Sequence, residues 1–348
     1  MKKTKVAVLG ATGIVGQRFI SLLEGHPYFE LTDLAASSRS AGKRYSDAAS
    51  WYLADVMPES VRDKVVSEIN PKIIDADIVF SALPSSVAMD VEPEFARAGF
   101  TVASNASAYR DEADVPLLIP EINPDHLGLL DVQRRNRGWD GAIITNPNCT
   151  SIVLTLSLKP LYDAFGINKL MVTSMQALSG AGYNGVSAMS IIDNVIPYIG
   201  GEEEKVETES HKILGSFEGS AIKGAEFKIS ASCNRVFTSD GHLESVFIDL
   251  AEKPSIDEVE DAFKSFEGKP QKLGLPTAPK PAIVLRSEPD RPQPRFDRMA
   301  GGGMSISVGR VRKDSIFDIK YSVLGHNTIR GAAGASILNA ELFVREKL

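Results

Sequence analysis

The chain opens with a short apolar run, Lys5-Val6-Ala7-Val8-Leu9, which breaks at once into "GATGIVG" at residues 10–16. Beyond it Val15, Phe19, Leu22 and Leu23 recur at helical spacing until Gly25-His26-Pro27 ends the pattern. The pattern predicts strand, glycine turn and helix. Further runs at Leu31 to Ala36, Asp75 to Pro84 ("DADIVFSALP") and Phe100 to Asn105 ("FTVASN") are apolar nearly throughout. Such strands, alternating with helical segments, suit a parallel sheet covered on both faces. Residues 1–147 are therefore expected to form a Rossmann-type, doubly wound α/β nucleotide domain.

Past residue 148 the texture changes. "KLMVTSMQAL" (Lys169 to Leu178) and "ESVFIDLA" (Glu244 to Ala251) alternate apolar and polar positions, which predicts an antiparallel or mixed sheet with one wet face. Residues 148–327 are expected to be an α+β catalytic and dimerisation domain. Its most irregular part, Leu273 to Arg298, carries Pro276, Pro279, Pro281, Pro289, Pro292 and Pro294, and reads as a long ordered loop serving an interface or a lid. From Asn327 onward Ile329, Ala333, Ile337, Ala340 and Val344 form a helical stripe. The small residues Gly331, Ala332, Gly334 and Ala335 allow close packing, so residues 328–348 are expected to return to the first domain. Two domains also suit 348 residues, more than one core usually covers.

Composition narrows the partners. The chain is 43% hydrophobic and 24% charged with a formal net charge of -7, which favours neither nucleic acid nor an anionic membrane. The opening Met-Lys-Lys-Thr-Lys imitates a signal-peptide start, but its apolar run stops at Gly10, and no stretch approaches the roughly 18 apolar residues of a span. A cytoplasmic protein is expected. Its two cysteines, Cys149 and Cys233, give no disulfide framework.

Gly10, Gly13 and Gly16, with Thr12, Ile14 and Val15 between them, form a variant of the dinucleotide fingerprint. Glycine lets the turn close and the backbone approach a pyrophosphate, whose charge meets free N–H groups at the helix start. The plain alternative is a tight turn without ligand. An NAD site usually places an acid about 20 residues further on, at the end of the second strand. Here that position reads Ala36-Ser37-Ser38-Arg39-Ser40, followed by Lys43 and Arg44, while Asp33 falls inside the strand. Hydroxyls and a guanidinium suit a 2′-phosphate, so NADP is expected; otherwise Arg39 is an ordinary solvated cation.

A lone cysteine is most often packing. Cys149 stands in "NPNCT", where the first domain ends and a new helix begins, and a helix N-terminus lowers a thiol pKa. Its backbone N–H and the Asn148 side chain are candidate oxyanion donors. Among the five histidines, His26 and His126 read as surface residues, His211 lies in a charged helical run, and His326 suits a capping role before Asn327. His242 differs: in "CNRVFTSDGH" a strand end and a hairpin would point Arg235 and His242 into one site, with Arg235 suited to a carboxylate. Glu202-Glu203-Glu204 read as a solvated helix face. No metal site is expected, since His211 and His242 lack clustered partner ligands.

"GATGIVG", "NPNCT", "QALSGAGYNG", "CNRVFTSDGH", "RPQPRFD" and "HNTIRGAAGAS", in that order, resemble the aspartate-β-semialdehyde dehydrogenase family, and "SGAGYNG" its archaeal and fungal branch. The resemblance implies NADPH-dependent, reversible reduction of L-4-aspartyl phosphate to the semialdehyde and phosphate. It implies Cys149 as nucleophile, Gln176 as the amide orienting it and His242 as acid/base. Arg235 matches the clamp on the substrate α-carboxylate and Glu209 the acceptor of its amino group. Lys212, Arg110 and Asn148 match phosphate contacts, and Ser179, Gly180 and Asn327 neighbours of the nicotinamide. A homodimer or homotetramer is implied as well. The rival readings are a malonyl-CoA reductase, which needs no amino-group acceptor, and a non-catalytic nucleotide-sensing protein.

Overall fold

The computed structural model describes residues 2–347; Met1 and Leu348, the outer ends of the expected first domain, lie outside the described residues. The apolar runs of the first part become β1 (Thr4–Leu9), β2 (Phe29–Ala36), β3 (Ser67–Glu68), β4 (Ile78–Ser81), β5 (Thr101–Ser104) and β6 (Ala142–Thr145). They pair in parallel in the order β3-β2-β1-β4-β5-β6. Of these, β3 and β6 carry no separate signal in the sequence reading. Each central strand is buried on both faces: Val6, Val8, Phe80 and Ile144 meet one apolar cluster, and Ala7, Leu9, Val79 and Val102 the other. This two-sided burial is why the runs are continuous rather than alternating.

Helix α1 (Ile14–Leu23) follows the glycine turn and buries Phe19, Ile20 and Leu23 on one face of that sheet. Helix α2 (Ser85–Arg97) buries Ala88, Phe95 and Ala96 on the other. Crossovers on both faces leave the carboxyl ends of β1, β4 and β5 at a crevice, where ligands of such sheets bind. A concavity of about 410 Å³ lined by Thr4, Asp77, Ile78 and Thr101 opens at the opposite ends of the strands, away from the glycine turn.

The second sheet is built from β7 (Ile167–Gln176), β8 (Lys228–Arg235), β9 (His242–Leu250), β10 (Ile283–Arg286), β11 (Ile306–Lys313) and β12 (Ile319–Gly325). Its order is β8-β7-β9-β12-β11-β10, with β7–β8 and β10–β11 parallel and the other pairs antiparallel. The expected alternation is present, since inward positions of β9 bury His242, Glu244, Val246, Ile248 and Leu250. The bounds of β7 and β9 each shift by one or two residues from the sequence reading, and two of the shifts have a visible cause. β7 ends at Gln176 because the next N–H, that of Ala177, leaves the ladder for a histidine ring. β9 starts two residues early because His242 still pairs with Gly325.

Helix α3 (Cys149–Phe165) crosses from one sheet to the other and is buried almost all round, with Ile152, Val153, Leu156 and Leu161 in the core of the second unit. Helix α4 (Glu202–Ile213) lies beside β8 and α3. The proline-rich segment is not a single loop, because Ile283–Arg286 inside it becomes the edge strand β10. The last segment makes a π turn at Ile329–Ala333 and continues as α5 (Gly334–Lys347), which packs on β4, β5 and α1. Ile337, Ala340 and Phe343 join the apolar cluster of the first sheet, while Leu338 and Leu342 meet Leu275 and Met304. The helix is therefore buried beyond the predicted stripe.

Two histidines expected at the surface are buried. His26 Nε2 lies 2.8 Å from Glu341 and its ring stacks on Phe29 at 4.8 Å. His126 bonds Asn123 through Nδ1 and the Gly215 carbonyl through Nε2. Satisfied ring nitrogens make burial affordable in each case.

Candidate active site

The crevice collects residues from both sheets. Asn148 caps α3: its Oδ1 accepts from the N–H groups of Thr150 (2.9 Å) and Ser151 (3.3 Å). The cap sets Cys149 at the first helical position, where its own N–H has no acceptor among the described residues. Cys149 Sγ stands 3.2 Å from His242 Nε2. The Ala177 N–H donates to His242 Nδ1 at 3.1 Å, so the neutral ring carries its proton on Nε2, facing the sulfur. Burial and the nearby Arg235 guanidinium push His242 down to about 3, which keeps that ring neutral.

The thiol departs from the sequence expectation. A helix N-terminus favours thiolate, yet burial and, next, the Glu202 carboxylate push Cys149 up to about 12. Arg110 and Arg235 pull the other way and are outweighed. The resting pair is a neutral thiol against a neutral imidazole.

No hairpin joins Arg235 and His242, contrary to the expectation from their spacing. β7 lies between their strands, and Arg235 pairs in register with Gln176 of β7. The three side chains stand side by side on the face covered by α3, each at most 6% exposed. Arg235 Nη1 donates to the Ala177 carbonyl at 2.6 Å, and Gln176 Nε2 to Ser174 Oγ at 3.2 Å. A Cβ on Gly180 would meet Arg235 Nη1 at 3.0 Å and His242 Cε1 at 3.3 Å, so a side chain there would press on the pair. Asn327 bonds Ser179 Oγ (2.8 Å) and the Gly241 N–H (2.8 Å), bringing both segments to the same rim. His326 is buried and makes no cap; its Nδ1 lies 3.4 Å from Thr328 Oγ1.

Glu209 and Lys212 share a face of α4. Glu209 takes Arg110 Nη1 at 3.1 Å and the Asn148 N–H at 2.7 Å. Lys212 Nζ donates to the carbonyls of Arg110 (2.7 Å) and Glu112 (2.8 Å), and burial pushes it down to about 8. The expected anion contacts thus sit together, but engaged with one another. The Asn148 side chain is also committed: its Nδ2 donates to both oxygens of Glu202, at 2.9 and 3.0 Å.

Glu202 is the residue that sequence reasoning missed. The three glutamates read as a solvated face, but Glu202 is only 8% exposed and Glu203 accepts from the Cys233 N–H of β8. The available signal was spacing, since Glu202 lies two heptad-spaced turns before Glu209 on one helical face.

At the nucleotide end, the turn is built for close approach. Gly10 has φ +80°, and a Cβ on it would lie 2.8 Å from the Ala82 carbonyl oxygen. A Cβ on Gly16 would lie 2.3 Å from the Gly10 oxygen. Gly13 caps α1 with no side chain, leaving Thr12, Ile14 and Val15 around open N–H groups. Ser37, Ser38 and Arg39 are exposed beyond β2, with Ser40 half-buried, and Arg39 has no partner among the described residues. Asp33 is turned away, accepting from Ser67 Oγ and the Asp75 N–H at 3.3 Å each.

A parallel nucleotide sheet joined to a mixed sheet, with a thiol and an imidazole at their junction, is the arrangement of a thiol-dependent aldehyde dehydrogenase. The family model for the NAD binding domain of those enzymes matches residues 5–130, and that for their dimerisation domain residues 158–330. An aspartate-semialdehyde dehydrogenase of Archaeoglobus fulgidus is 60% identical over 99% of this chain and 98% of its own length. That of Schizosaccharomyces pombe is 49% identical over 99% of each. The solved aspartate-semialdehyde dehydrogenase of Candida albicans with NADP superposes with a TM-score of 0.90 at 46% identity, covering 99% of both chains. The chain belongs to the aspartate-semialdehyde dehydrogenase family.

Proposed function

We propose that this protein reduces L-4-aspartyl phosphate to L-aspartate 4-semialdehyde and phosphate, reversibly, with NADPH and through a thioester on Cys149. The observation that carries the reading is Cys149 Sγ at 3.2 Å from His242 Nε2, flanked by Arg235 and Gln176 and facing the crevice of the glycine turn. Gly10 to Gly16 would hold the pyrophosphate on the open N–H groups of α1, and Ser37 to Ser40 with Arg39 the 2′-phosphate. Ser179, Gly180 and Asn327 would edge the nicotinamide. Bound NADPH supplies the hydride.

In this reading the Cys149 thiolate attacks the acyl carbon, a C–S bond forms, and the C–O bond to phosphate breaks. Lys212 and Arg110 meet the departing phosphate, and Arg235 holds the α-carboxylate bidentately with its free guanidinium edge. Glu209 accepts from the amino group. Once hydride has reached the thioester carbon, the oxyanion takes hydrogen bonds from the Cys149 N–H and His242 Nε2–H. Collapse then expels the thiolate and frees the aldehyde. For His242 to take the thiol proton its Nδ1 must first carry the ring proton, so the Ala177 N–H bond opens at that step.

We further infer a homodimer or homotetramer. Among the described residues no helix covers the outer face of the second sheet, which presents Met171 at 51% exposure beside Thr173 and the half-buried Phe247. A reactive free thiol suits a reducing compartment, which favours the cytoplasm. Among the described residues no helix is long and apolar enough to cross a membrane.

The test follows NADPH formation by its near-ultraviolet absorbance, with L-aspartate semialdehyde and NADP+, with and without inorganic phosphate. Phosphate-dependent turnover that disappears in Cys149→Ser is expected. No turnover there, with NADPH oxidised by malonyl-CoA instead, would overturn the substrate while leaving the thiol chemistry.

A further inference from the structure

Two carboxylates of α4 grip Asn148, one from each end. Glu209 takes its backbone N–H, and Glu202, two turns earlier, takes its side-chain amide with both oxygens. The amide thereby has a fixed orientation: its Nδ2 can only face Glu202, so its Oδ1 must face the N–H groups of Thr150 and Ser151. That is the cap that sets the first turn of α3 and the direction of Cys149. Lys205 reaches Glu202 only at 3.4 Å, from a half-exposed position. The carboxylate is therefore buried on an amide, with the Lys205 ammonium as its cation on the outer side.

We propose that Glu202 is a positioning residue for Cys149: through the Asn148 amide it fixes the helix cap that aims the thiol, and it keeps a negative charge beside the sulfur. The inference rests on Cys149 being the nucleophile. The groups acting on Cys149 come from several elements: Glu202 from α4, Arg110 from the loop after β5, Arg235 from β8 and His242 from β9, with Glu209 of α4 one residue away on the Asn148 N–H. The His242 ring is neutral, and Arg110 is already paired with Glu209. Glu202 is thus the carboxylate near the sulfur with no guanidinium partner. Its charge opposes thiolate formation, so the resting sulfur is a poor target for stray electrophiles.

The experiment is the pH profile of Cys149 alkylation by iodoacetamide in the full-length, cofactor-free protein, read by mass spectrometry of the Cys149 peptide. Glu202→Gln keeps an acceptor for Asn148 and removes the charge. It should lower the apparent thiol pKa by about one unit, making labelling near neutral pH about tenfold faster. Glu204→Gln, an exposed change of the same charge on the same turn, should overlay the wild-type profile. Steady-state kinetics separate geometry from charge: Glu202→Gln should keep kcat within a few-fold, whereas Glu202→Ala should lose about tenfold in kcat with KM little changed. Identical profiles for wild type and Glu202→Gln would overturn the proposal. So would a wild-type thiol titrating at or below about 8.5, the ordinary cysteine value, a result that needs no variant to fold. Complete labelling of Cys149 without loss of activity would instead sink the nucleophile reading on which the inference rests.

Discussion

Arg330 and Glu121 are the clearest place to break the structure behind the site. Both side chains are 0% exposed, and the guanidinium meets the carboxylate bidentately at 2.7 and 2.8 Å. Gln271 adds a 3.3 Å bond to Glu121, while Arg330 Nε has no partner among the described residues. Glu121→Gln is nearly isosteric, yet leaves the buried guanidinium without a counter-charge. Breaking such a pair costs about 3–5 kcal/mol, and full burial argues for the upper half of that range. At about 2.1 cal/mol/K per residue, unfolding 348 residues carries roughly 0.7 kcal/mol/K of entropy, so the melting temperature should fall by about 5–7 °C. Circular dichroism melts at several scan rates, with urea titrations beside them, measure this. Glu121→Leu with Arg330→Met should recover most of the loss, because an apolar pair needs no counter-charge. A Glu121→Gln melt within about 1 °C of wild type would refute the reasoning. So would a double variant less stable than the single one.

Three further expectations follow from the same geometry. A Cβ on Gly331 would lie 2.6 Å from the Cys149 Cβ, so Gly331→Ala must displace the π turn or the thiol, and kcat should fall by about 100-fold; unchanged kinetics would contradict it. Glu92 is buried against Ser104 Oγ (2.6 Å), and desolvation pushes its carboxyl up to about 7 from 4.5. Between those values the folded state holds a proton the unfolded state has lost, so stability falls as pH rises from 4.5 to about 7. Glu92→Gln removes that slope and should gain on wild type by up to about 3 kcal/mol by neutral pH; parallel pH–melting curves would disprove this. Arg39→Glu should cut the preference for NADP over NAD by about 10- to 100-fold, read as the ratio of kcat/KM values, and an unaltered ratio would remove Arg39 from cofactor recognition.

Where the sequence was legible, the reason was local. Continuous apolar runs announced strands buried on both faces, alternation announced the half-open sheet, and three spaced glycines announced a turn of close backbone contacts. β3, two residues long, and β10, inside a proline-rich stretch, gave no local signal because both are edge strands shaped by the neighbour they pair with. His26 and His126 were misread because burial of an imidazole depends on partners distant in sequence: Glu341 lies 315 residues from His26, and Gly215 lies 89 from His126.

By itself, the sequence determined the fold class, the glycine turn, the helix that starts at Cys149 and, through its motifs, the family. Tertiary structure alone decided how the chemistry is set. β7 entered between Arg235 and His242, which no spacing of seven residues can encode. α4 turned Glu202 inward onto Asn148, and burial with that charge reversed the direction in which a helix N-terminus moves a thiol. Local rules govern what a segment can become, whereas charge and desolvation at a site are sums over neighbours that only folding brings together.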